Sequence, residues 1–123
     1  MTEEPRDSFY GETISEYIAG VCFEAQCDGV AFAGILDQGR RGYGYEGEDL
    51  LAFLRRVLTA MMEAGAHPVL GGGDTEHSWL VQKQYGERPA EIAENVVRAW
   101  VAQGMPNDAW LSGWLWFTVE DNF

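Results

Sequence analysis

Basic residues are scarce in this chain. Eight lysines and arginines face 20 aspartates and glutamates in 123 residues, a formal net charge of −12. Such a field repels nucleic acid and anionic membrane, so neither is an expected partner; it leaves a basic protein or plain solubility as the role of the charge. The imbalance is steepest at the front, where the first fifty residues hold 11 acids and 3 bases against 9 and 5 in the remainder. A long apolar run is also missing. Nothing approaches the roughly 18 consecutive apolar residues that a membrane-spanning helix needs. The opening M-T-E-E-P-R-D is acidic, opposite in sign to a secretory leader, and the expected location is the cytoplasm.

Cysteine and histidine occur twice each. Cys22 and Cys27 are spaced C-x4-C, which matches neither a zinc nor a redox motif and sets them about 140° apart on a helix; two reduced, packed thiols are expected. No catalytic or ligand-binding motif, internal repeat or low-complexity segment is present. What remains is an ordinary globular composition, 46% apolar and 23% charged. That places residues 1–123 in one domain able to bury a real core, with residues 1–11 expected as a frayed polar segment.

The pattern then divides the chain. Thr13-Ile14-Ser15-Glu16 is a capping box, and a helix follows to about Asp28, where Gly29 stands as a left-handed C-cap. Ile14, Tyr17, Ile18, Val21, Cys22 and Ala25 share its inner face. A second, narrower stripe of Ala19, Gly20, Phe23 and Cys27 runs down the other side amid Glu12 and Glu16. A phenylalanine centred on a polar face calls for a cover, either another layer of this domain or a partner. Glu24 and Asp28 lie four apart at the negative end of the helix dipole, which marks an acidic contact surface. Glu16, Ala19, Gly20, Phe23, Glu24 and Cys27 are therefore the candidate interface.

Residues 30–36 and 41–45, joined by a turn at 37–40, read as a β-hairpin, with Arg40 and Arg41 at its tip. A second helix opens at Glu48 or Asp49 and ends at Ala64 with Gly65 as its cap; its apolar face is wide enough to mean deep burial. Residues 67–70 read as a short strand with Pro68 at its start or on an edge. A Gly71-Gly72-Gly73 turn follows, then a strand over 79–85. Pro89 starts a third helix that runs to about Gln103, with Gly104 as cap and Glu94–Arg98 paired outside. Residues 114–119 are apolar on both faces, which suits a central strand. The order fits an α+β two-layer sandwich, a mixed or antiparallel sheet of four to five strands packed by three helices.

Four constellations bear on chemistry. His67, Asp74, Glu76 and His77 flank the glycine turn and have the donor atoms for a divalent metal, without matching any ligand spacing. The glycine turn resembles an anion cradle but is followed by carboxylates and not by lysine. Neither cysteine has a histidine near it in sequence, and Ser78 has His77 only as its neighbour, so no nucleophile is set up. The aromatics are numerous, and Tyr43, Tyr45, Trp79 and Trp110 form the candidate ligand pocket. The functional expectation is a non-enzymatic protein-interaction module acting as a homodimer, or on a basic protein partner, with no cofactor. The alternative is a small-molecule or divalent-metal site at the glycine turn.

Overall fold

The computed structural model describes residues 4–71, 79–107 and 114–123. Among them, four α-helices and four strands occur in the order α1 (Ile14–Cys27), β1 (Val30–Ala31), α2 (Phe32–Asp37), α3 (Gly47–Glu63), β2 (Ala66–Gly71), β3 (Trp79–Val81), α4 (Pro89–Ala102) and β4 (Trp116–Val119). The strands form one antiparallel sheet in the order β1-β4-β2-β3. This is the α+β two-layer arrangement expected from the pattern, with one helix more than the three expected.

The long helices form where the signals placed them. Thr13 accepts from the Glu16 N–H at 3.1 Å while the Glu16 carboxylate accepts from the Thr13 N–H at 3.0 Å, a complete capping box. Gly65 and Gly104 stand just past α3 and α4 with φ of +99° and +93°, which only glycine adopts freely. The wide stripe of α3 is buried along Leu50, Phe53, Leu54, Val57, Leu58, Met61 and Met62. It packs against α4, whose Ile92, Ala93, Val96, Val97 and Trp100 are also buried. Phe32 joins this core to the sheet, with its ring 5.9 Å from Trp100 and 5.0 Å from Trp114.

β4 is an interior strand, as its two apolar faces required. Thr118 is fully buried there, and its hydroxyl meets the carbonyl oxygens of Ala25 (3.0 Å) and Asp28. This ties the end of α1 to the middle of the sheet.

The expected hairpin over residues 30–45 is not formed. After the two residues of β1 the chain coils into α2 and then one turn of π-helix, Gln38–Gly42, closed by the Tyr43 N–H to the Gln38 carbonyl at 3.0 Å. Phe32, Ile35 and Leu36 are the buried positions of α2, a helical spacing inside an apolar run too short to reveal its period. Gly39, expected in the turn of that hairpin, serves close packing instead. A Cβ on Gly39 would lie 2.8 Å from Leu50 and 2.9 Å from Phe53.

Three smaller expectations also change: at Gly29, at the end of β3, and at Pro68, which is neither first in its strand nor on an edge but third in β2, between β4 and β3. Gly29 is not left-handed. It is small because Trp79 and Trp116 lie over it, 3.3 and 3.4 Å from where a Cβ would sit. β3 ends at Val81 and not at Tyr85. Its next residue still donates to the Pro68 carbonyl at 2.8 Å, but Pro68, inside an interior strand, has no N–H to return, and the chain turns into a 3-10 turn at Lys83–Tyr85.

The N-terminal segment is tied down from Arg6 onward. Asp7 is only 6% exposed. One of its carboxylate oxygens accepts the N–H groups of Phe9, Tyr10 and Gly11, and the other accepts from the Gln38 side chain at 2.6 Å. The Tyr10 N–H is the largest influence holding this carboxyl below its usual range, helped by Gln38 and Gly11 and opposed by burial. Ser8 adds bonds to the Arg41 and Gly42 carbonyls, so the hook locks onto the π-turn.

Candidate functional site

α1 has two unlike faces. On the inner one Ile14, Val21 and Ala25 are buried, with Tyr17, Ile18 and Cys22 packed partly beneath. Burial pushes the Tyr17 phenol and the Cys22 thiol up from their ordinary pKa values, as expected of groups turned to the core. On the outer face Glu16, Ala19, Gly20, Phe23, Glu24 and Cys27 are all exposed. Phe23 is 66% exposed, and a Cβ built on Gly20 meets nothing within 4 Å. Of the two covers weighed from the pattern, a second layer of the same domain is absent among the described residues.

The charge around this face is unbalanced. Five arginines are used in ion pairs: Arg6 with Glu16 (3.6 Å), Arg41 with Asp37 (3.2 Å), Arg56 with Glu4 (3.1 Å), and Arg55 and Arg98 with Glu94 (2.6 and 3.0 Å). Glu24 and Asp28 are exposed and in no ion pair among the described residues. The turn Glu120–Asn122 adds two more exposed acids at the same end of the helix. Its Asn122 side chain donates to the carbonyls of Ala25, Gln26 and Asp28 at 3.2, 3.0 and 3.1 Å. The turn that carries Glu120 and Asp121 is thereby docked on the C-terminal end of α1, where the helix dipole is already negative. Sequence pattern named the helix half of this patch. The C-terminal half was missed, since Glu120 and Asp121 reach α1 only through the fold.

The ligand-pocket candidates fall into separate ring clusters. Tyr43 and Tyr45 stack on each other at 5.7 Å and against Phe53 of α3 at 5.5 and 5.7 Å. The Tyr43 hydroxyl donates to the Glu12 carbonyl at 3.0 Å, and desolvation raises its pKa. These rings hold the loop before α3. Trp79 lies on Trp116 at 5.8 Å, on the sheet. Trp110 lies outside the described residues.

The metal candidates are placed only in part. His67 sits on β2 with its ring 5.7 Å from that of Phe123. Asp74, Glu76 and His77 lie outside the described residues, as do the glycine turn beyond Gly71 and Ser78. Among the described residues, no three His, Cys, Asp or Glu side chains are grouped to hold a metal ion. His67 does open on a surface cleft of about 460 Å³, which Gln82, Lys83, Glu87, Ile92 and Phe123 also line.

No helix among the described residues is long and apolar enough to cross a membrane. No protein-family model, no curated protein and no solved structure matches this chain.

Proposed function

We propose that this protein is a non-enzymatic interaction module whose contact surface is the outer face of α1. The observation that carries this reading is Phe23, a large apolar ring standing in water at the centre of a stripe of Ala19, Gly20 and Cys27. Ala19 and Gly20 leave room for another backbone to approach, and Phe23 supplies an anchor of the aromatic type that dominates contact energies. The exposed acids around the stripe form the polar rim of such a contact.

A contact residue and a structural one respond differently to substitution. Phe23→Ser is expected to leave the melting temperature of the isolated protein unchanged while abolishing association, read by sedimentation velocity and by retention of purified partners. A fall in melting temperature would make Phe23 part of the fold. A wild-type protein that stays monomeric and binds nothing would remove the reading.

A small-molecule or metal site is the second reading, supported by the cleft at His67. On this reading zinc or manganese raises the melting temperature, and His67→Ala or His77→Ala removes the rise. No shift with any divalent ion counts against the metal version.

A further inference from the structure

We propose that the occupant of the α1 face is a basic amphipathic segment, a helix of three to four turns with an apolar stripe flanked by lysine or arginine. This rests on reading α1 as the contact surface and names what that surface takes.

Charge decides between a second copy and a basic partner. The stripe runs from Ala19 to Cys27, about 12 Å along the helix, and Gly20 stands near the middle of the fourteen-residue α1. A twofold pair of copies crosses at the point of closest approach, which is Gly20, and each copy presents the same patch to the other. If the two helices run antiparallel, Glu16 meets Glu24 of the second copy on both sides of the crossing. If they run parallel, Glu16 meets Glu16 and Glu24 meets Glu24. Either way acid faces acid. The pairing of Glu16 with Arg6, long at 3.6 Å and exposed, relieves little of this.

A basic segment meets the reverse situation. Glu24 and Asp28 are in no ion pair among the described residues, and Asn122 docks the turn of Glu120 and Asp121, both exposed, on the same end of α1. The Ala25, Gln26 and Asp28 carbonyls at the end of α1 are already taken by Asn122 and Thr118, which leaves the carboxylates as the main acceptors this end offers a cation. An apolar stripe on the segment covers Phe23 and fills the space over Gly20. A rim of like charge then also rejects acidic partners.

The test titrates the protein against three labelled synthetic peptides of about 15 residues, long enough to span the stripe. One is an amphipathic leucine–lysine helix, one its leucine–glutamate counterpart, and one a lysine-rich peptide with no apolar face. Anisotropy at low and high salt reads binding, and sedimentation velocity reads self-association of the protein alone. The proposal expects binding of the leucine–lysine helix only, weakened about tenfold or more by Phe23→Ser, as for a hot-spot anchor. It expects the salt dependence to shrink in the double variant Glu24→Gln, Asp28→Gln. Gly20→Leu, which meets no neighbour in the folded chain, should block binding while keeping the melting temperature.

Equal binding of the lysine-rich peptide, or binding unchanged by both Phe23→Ser and Gly20→Leu, would overturn the proposal in favour of unspecific charge. A dimer abolished by Phe23→Ser, with no peptide bound, would overturn the proposal but keep α1 as the contact surface. A monomer that binds no peptide would overturn both.

Discussion

Helices α1 and α4 are the same length, fourteen residues each, and they differ in how completely their own chain satisfies them. α4 buries Ile92, Ala93, Val96, Val97 and Trp100, and its outward Glu94 is held between Arg55 and Arg98. Even the Trp100 indole N–H is accounted for, donating to the Pro106 carbonyl at 3.2 Å, with the Arg40 guanidinium 5.2 Å over the ring. α1 buries only Ile14, Val21 and Ala25, leaves Phe23 in solvent, and carries Glu24 in no ion pair among the described residues. A helix whose broad apolar face is buried and whose outward Glu94 is paired belongs to the scaffold. A helix finished on one face has surface left over, and that surplus is the physical content of the word "interface" here.

The comparison can be broken at its strongest point first. Trp100→Ala empties a fully buried site on α4 and should cost about 3–5 kcal/mol in denaturant unfolding. A much smaller loss would mean that α4 is not the anchored helix of the pair. Next, α1 has few buried residues and should lean on its capping box. Thr13→Ala is expected to cost about 1 kcal/mol, with faster amide exchange confined to the first turn.

Glu94→Gln should cost less than about 1 kcal/mol, since its pairs are part-exposed. Its pH dependence has a definite sign. The hydrogen bond from Arg55, then that from Arg98, holds the Glu94 carboxyl below its ordinary value. The folded state therefore binds its proton less readily than the unfolded state. The stabilisation is present at neutral pH and is lost as the pH falls through and below about 4. Wild type and Glu94→Gln should converge there in urea titrations. The smallest effect should be that of Phe23→Ser, within about 0.5 kcal/mol of wild type, as for a substitution at an exposed surface position.

The scaffold helices were legible because each carries its own punctuation. Pro89 and Gly104 bracket α4, Gly65 closes α3, and Thr13 with Glu16 opens α1, all local signals that read the same in any fold. Phe32–Asp37 was not legible, because an apolar run of this length fits a buried strand as well as a buried helix, and tertiary packing against Trp100 and Trp114 decides. The Asp7 hook was hidden for a different reason. Its partner Gln38 lies 31 residues away, although the Asx-type turn from Asp7 to Gly11 was a local sign that this segment is not frayed. At the candidate site, periodicity placed all six outer residues of α1 on one face. Whether anything covered that face depended on the rest of the chain, and so did the company of Glu120 and Asp121.

Cys27 offers the most direct check, because it is an exposed thiol on the stripe itself, while Cys22 is half-buried on the other side of the same helix. The measurement is the rate of alkylation of each cysteine by an uncharged reagent, with and without the leucine–lysine peptide at saturation. The account predicts that the peptide slows Cys27 severalfold and leaves Cys22 unchanged. An unchanged Cys27 rate, with the peptide bound, would place the contact elsewhere and contradict it.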